Sequence, residues 1–148
     1  MRCRVGLLLL GLSFFPAVGS GGDLKQAMAE PNLEKRSSLA LENASTALKA
    51  ARQAYDKGDT ADVAGAAVEI QESVDLAFTS LQQTGKNPRR SPKWFKRAEI
   101  ETRDLARRLD AFQQEMSYVD RPVLDKVKAR VQQVHDELLL GLMEGKRK

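Results

Sequence analysis

Four stretches of this chain repeat one spacing rule, and that rule leaves few folds open. Leu41, Ala44, Leu48, Ala51 and Tyr55 are spaced 3-4-3-4, and Val63, Ala67, Ile70, Val74, Ala77 and Leu81 follow 4-3-4-3-4. Phe95, Ala98, Thr102, Leu105, Leu109, Phe112 and Met116 keep the same rhythm. So do Leu124, Val127, Val131, Val134 and Leu138, with Leu142 four residues on. Apolar residues alternating three and four apart form a stripe along one side of a helix, the seam of helices packed side by side. Strands would need alternation by two, and no segment shows it.

The punctuation between the seams agrees with their period. Gly58 follows the first seam where a left-handed residue is wanted, and Asp59 or Thr60 is placed to cap the second helix. Gly85, Asn87 and Pro88 break the chain again, Ser91-Pro92 reads as an N-cap with proline in the first turn, and Asp120 precedes Pro122 in the same sense. The spacing predicts helices over 33–57, 60–84, 92–118 and 121–144, within a bundle spanning 32–145. Similar lengths and short connections point to an all-α, antiparallel up-down four-helix bundle. The alternative is two long coiled-coil-like helical hairpins that dimerise to complete a core. The first two seams are rich in alanine, so the first helix is expected to approach its neighbours closely while the last two fill most of the volume. ARQAYDKGDTADVA resembles the turn of a tetratricopeptide hairpin over about 20 residues, but it does not recur at the roughly 34-residue period of such arrays, and nothing further follows from it.

The N-terminus reads as a targeting segment. Met-Arg-Cys-Arg precedes the apolar run VGLLLLGLSFFPAV and then Gly-Ser-Gly-Gly, with Ala17 and Gly19 suited to the −3 and −1 positions of a cleavage site. The run is shorter than the roughly 20 residues needed to span a bilayer. Residues 1–19 are therefore read as a cleaved signal peptide, retention as an anchor being the other reading, and residues 20–31 as a disordered lead. Cys3 is the sole cysteine and lies before the apolar run, not at the cleavage point, which argues against a lipoprotein. The expected product is exported, periplasmic or secreted, with no disulfide. Asn43-Ala-Ser is a glycosylation sequon inside a helical pattern, and is read as a chance match.

Few catalytic chemistries find their residues here. His135 is the only histidine, so neither a nucleophilic triad nor a di-iron pair of Glu-x-x-His motifs can be assembled. No glycine-rich phosphate loop follows a strand. No enzyme activity, metal or cofactor is expected. His135 is read as flanking the seam with its tip in water; the alternative function is a periplasmic-type bundle carrying a small ligand or haem through its core and His135.

The charge is uneven. Residues 23–84 carry 6 Lys/Arg against 10 Asp/Glu, and residues 85–148 carry 16 against 10. The segment KNPRRSPKWFKR (86–97) holds six cations and no anion. The second helix has no Lys or Arg but carries Asp62, Glu69, Glu72 and Asp75, so its acidic flank is expected to meet the arginines of the third. That account leaves the start of the third helix unexplained, because the helix dipole disfavours cations there by about 0.3–1 kcal/mol each. The candidate contact residues are Arg89, Arg90, Lys93, Trp94, Lys96 and Arg97, with Lys146, Arg147 and Lys148 of the basic tail 146–148 expected beside them. Phe95 belongs to the seam. The expected partner is another protein or an anionic envelope component, with peripheral membrane contact and a homodimer as further readings. Nucleic acid is set aside for an exported chain.

Overall fold

The computed structural model describes residues 22–144, so the expected signal peptide (1–19) and the basic tail (146–148) lie outside it. The described chain is all-helical: α1 (Gly22–Ala29), α2 (Leu33–Asp56), α3 (Thr60–Gln83), α4 (Pro92–Glu115), a 3-10 turn (Arg121–Leu124) and α5 (Asp125–Glu144). Local chemistry sets the boundaries. The Asn32 side chain accepts the N–H of Lys35 at the start of α2, and Asp59 accepts that of Asp62 at the start of α3. Gly58 and Gly85, at φ +77° and +69°, end the two preceding helices in the left-handed region that glycine tolerates.

The seam residues are the core. Leu48, Val63, Ile70, Val74, Leu109, Leu124 and Val131 are fully buried, and Leu81, Phe112, Val134 and Leu138 nearly so. α2 and α3 form one antiparallel hairpin, α4 and α5 the other, and the arrangement fits a four-helix bundle. Small residues line the first hairpin: Ser37, Ala40, Ala44, Ala47 and Ala51 on α2, and Ala67, Ser73, Ala77 and Ser80 on α3. They let the two backbones approach closely along their length.

How the hairpins meet differs from the expectation. Across α2 and α4, Arg97 pairs with Glu42 at 3.7 Å and Arg52 with Glu115 at 3.1 Å, so these helices run parallel as neighbours. Across α3 and α5, Asp75 pairs with Arg130 at 2.6 Å. α2 and α5 make no contact among the described residues, and α3 and α4 meet only sparsely, so those pairs occupy the diagonals. The acidic flank of α3 therefore does not meet the arginines of α4. Spacing within a helix identifies the buried face but not the helix that covers it.

The lead read as disordered contains α1. It folds back along α2 through a turn in which Glu30 Oε1 accepts the N–H of Asn32 and Arg36 Nε donates to the Glu30 carbonyl. Ala27 is fully buried there. Eight residues are too few to hold a helix unaided, so this packing stabilises it. Among the described residues no helix is long and apolar enough to cross a membrane.

Candidate contact surface at one end of the bundle

The α3–α4 connection is a shaped loop. Asn87 organises it: its carbonyl accepts the N–H groups of Arg90 and Ser91, and its Oδ1 accepts that of Arg89 at 2.9 Å. Pro88 turns inward and is buried. A Cβ added at Gly141 of α5 would stand 3.3 Å from Pro88 Cγ, so the loop lies directly against the last turns of α5. Antiparallel pairing of α4 and α5 brings the loop, the start of α4 and the end of α5 to one end of the bundle. A groove of about 530 Å³ runs beside the loop, with Phe78, Pro88, Phe95, Leu138 and Leu140 in its walls and Lys86, Glu137 and Glu144 along its edge.

Within the basic segment the structure separates two kinds of cation. Lys86 reaches Glu34 at 2.6 Å. Arg97 is held by Glu101 at 2.8 Å and by Glu42, and its guanidinium is pushed above its ordinary pKa, first by the hydrogen bond it donates to Glu101 and then by the carboxylate charges. Further along α4, Arg103, Arg107 and Arg108 pair with Glu99 and Asp104 on their own helix. Arg89, Arg90, Lys93 and Lys96 are exposed and have no carboxylate partner among the described residues. No acidic side chain occupies the first turn of α4 to offset them. Trp94 is half-buried against the core, with Lys93 Nζ 5.3 Å and Arg97 Cζ 5.9 Å from its ring.

Of the predicted contact residues, Arg89, Arg90, Lys93, Trp94 and Lys96 come together at this end, while Arg97 is committed to its own ion pairs. Lys146, Arg147 and Lys148 lie outside the described residues; the helix that precedes them ends beside the loop. Sequence reasoning missed Leu139, Leu140 and Met143, which are exposed on the last turns of α5. The available signal was three consecutive leucines at 138–140 where the seam requires only Leu138.

His135 differs from its expected setting. Its side chain is 13% exposed, Nε2 lies 3.0 Å from Glu99 Oε1, and Nδ1 lies 3.1 Å from Asp136 Oδ1. Position 135 faces α4 at the level where Glu99 is buried, so the imidazole tip meets a carboxylate instead of water. Among the described residues no group of three His, Cys, Asp or Glu side chains is arranged to hold a metal ion. No family model, curated protein or solved structure matches this chain.

Proposed function

We propose that this chain is an exported, non-enzymatic protein that works by contact, through the basic end of an up-down four-helix bundle. Its partner is an anionic envelope component or an acidic protein. One observation carries this reading: Arg89, Arg90, Lys93 and Lys96 cluster with no carboxylate partner among the described residues, whereas Lys86 and the other cations of α4 have one. Unpaired cations at the start of a helix oppose the local dipole, and an external anion relieves that repulsion. Lys146, Arg147 and Lys148 follow an α5 that ends at the same place, and add to the charge. Export rests on the N-terminal sequence pattern.

The test is retention on heparin, used as a polyanion probe, over a salt gradient. Changing Arg89, Arg90, Lys93 and Lys96 to Ser is expected to shift elution to markedly lower salt, while changing the paired Arg103 and Arg107 shifts it less. Equal retention of the two variants overturns the reading. N-terminal sequencing of the exported protein tests cleavage after Gly19.

A further inference from the structure

Three large apolar side chains stand exposed at the basic end. Leu139, Leu140 and Met143 are 39%, 44% and 68% exposed within five residues of α5. His135 on α5 touches Glu99 on α4, so Leu139 and Met143, one and two turns on along the same face, run beside the first turns of α4 that carry Lys96 and Lys93. Leu140 lines the groove with Pro88, next in sequence to Arg89 and Arg90. The patch is therefore flanked on its α4 side by Lys93 and Lys96, which have no carboxylate partner among the described residues, while Glu137 and Glu144 stand with Leu140 along the groove.

This composition differs from that of a protein docking site. A stable protein interface buries about 800 Å² on each partner, and the exposed apolar side chains here span only Leu139 to Met143 of α5. A bilayer requires no matching shape. Aliphatic and thioether side chains enter the boundary between headgroups and acyl chains, Lys and Arg reach the phosphates, and an aromatic ring sits at the level between them. We propose that this end of the bundle docks on an anionic lipid bilayer, with Leu139, Leu140 and Met143 entering the headgroup–acyl boundary while Arg89, Arg90, Lys93 and Lys96 meet lipid phosphates. The inference rests on the reading that the basic end is the contact surface, and it names the partner.

Trp94 is the only tryptophan in the sequence, so its fluorescence reports on this end alone, whatever the N-terminal apolar run does. Full-length protein is mixed with vesicles of phosphatidylglycerol and phosphatidylcholine, or of phosphatidylcholine alone, with and without brominated acyl chains. In anionic vesicles Trp94 emission is expected to shift to the blue and to be quenched by bromine; neither change is expected in neutral vesicles. Changing Leu139, Leu140 and Met143 together to Ser is expected to weaken this binding at least about tenfold, and so is changing the four cations to Ser. All seven positions are exposed, and an unchanged helical circular dichroism signal shows that the variants fold. Vesicle binding that leaves Trp94 unquenched overturns the lipid inference, as does binding insensitive to the three apolar changes. If heparin retention still depends on the four cations in that case, the contact-surface reading stands without the bilayer. If neither heparin nor vesicles sense those cations, both readings fail.

Discussion

Asn43 of α2 donates its side-chain amide to Ser73 Oγ of α3 at 2.9 Å, in the middle of the small-residue contact between the two helices. The same amide reaches Glu69 Oε1 at 3.1 Å, and Ser73 in turn donates to the Glu69 carbonyl at 2.7 Å. Asn43 is 2% exposed, so this polar cluster is satisfied from within. It fixes the register of two helices whose alanines would slide past one another at little cost.

Asn43→Ala removes two hydrogen bonds from the contact, to Ser73 and Glu69, while Ser73 keeps its bond to the Glu69 carbonyl, at a cost of about 1–3 kcal/mol. Urea unfolding should show the midpoint falling with an unchanged slope. The same burial predicts that the sequon at Asn43 stays unmodified when the protein is exported by a glycosylating host. Intact mass measures this, and a glycan on Asn43 would contradict its placement in the α2–α3 contact.

The other end of the bundle is braced by Tyr55. Its hydroxyl accepts the N–H of Ser117 at 2.8 Å and donates to Asp120 at 3.2 Å, while its ring meets Phe112 edge-on with centroids 5.9 Å apart. Phe112→Ala should cost about 3–5 kcal/mol, since a fully packed ring leaves a cavity. Tyr55→Phe keeps the ring and loses only the hydroxyl contacts, so about 1 kcal/mol is expected. Denaturant unfolding of the two variants separates packing from hydrogen bonding at this joint.

Both the legible and the illegible parts of this fold have physical causes. Leu48, Ile70, Leu109 and Val131 were identifiable as core because a 3-4 repeat aligns them on one helical face. The exchange of diagonals was not, because the buried face of α3 reads the same whether α4 or α5 covers it. α1 was hidden because its burial rests on a single small residue, Ala27. At the basic end of the bundle the excess of cations was plain. Which of them lack partners depends on where Glu34, Glu42 and Glu101 fall in space; Arg97–Glu101 is legible as an i,i+4 pair, but Lys86 finds Glu34 52 positions away in the sequence and Arg97 finds Glu42 on α2.

His135 and Glu99 should behave as one unit. Glu99 is 7% exposed, with His135 Nε2 at 3.0 Å and Arg103 Nε at 3.7 Å. His135→Ala leaves a buried carboxylate with only the more distant guanidinium, at about 1–3 kcal/mol. Replacing both residues by Ala should cost less than the sum of the two single changes, since the second change removes the group that the first had left without its partner. A double-mutant cycle by denaturant unfolding measures the coupling, and strict additivity would show that the contact contributes nothing.

Acid should loosen α1 before it affects the bundle. The Glu30 carboxyl is held below its ordinary pKa, chiefly by the N–H of Asn32, which outweighs the opposing effect of burial, and further by Lys35 and Arg36. A lowered folded-state pKa means stability that is present above the ordinary carboxylate range and is lost as pH falls through the lowered value. Asp62 has the opposite sign: the neighbouring Asp59 raises its pKa, so protonation favours the folded start of α3. Below about pH 4, amide exchange in residues 24–36 should accelerate while that of residues 60–66 does not. Glu30→Gln should abolish the pH dependence of the first segment.

Gly141 and Pro88 tie the basic loop to α5, and their contact can be graded by side-chain size. A Cβ at position 141 stands 3.3 Å from Pro88 Cγ, tight but within reach of a small shift, and Gly→Ala inside a helix gains up to about 1 kcal/mol in propensity. Gly141→Ala should therefore leave global stability within about 0.5 kcal/mol of the parent. Gly141→Val places branched methyls where the proline ring sits, and the loop must lift from α5. Amide exchange in residues 86–91 should then accelerate while the core amides of α2 and α3 keep their protection. If lifting the loop disperses Arg89 and Arg90, heparin retention should fall in the Val variant and persist in the Ala variant, although neither substitution changes a charge. Equal retention in all three proteins would mean that the cations act by number alone and that the shape of the loop is irrelevant to binding.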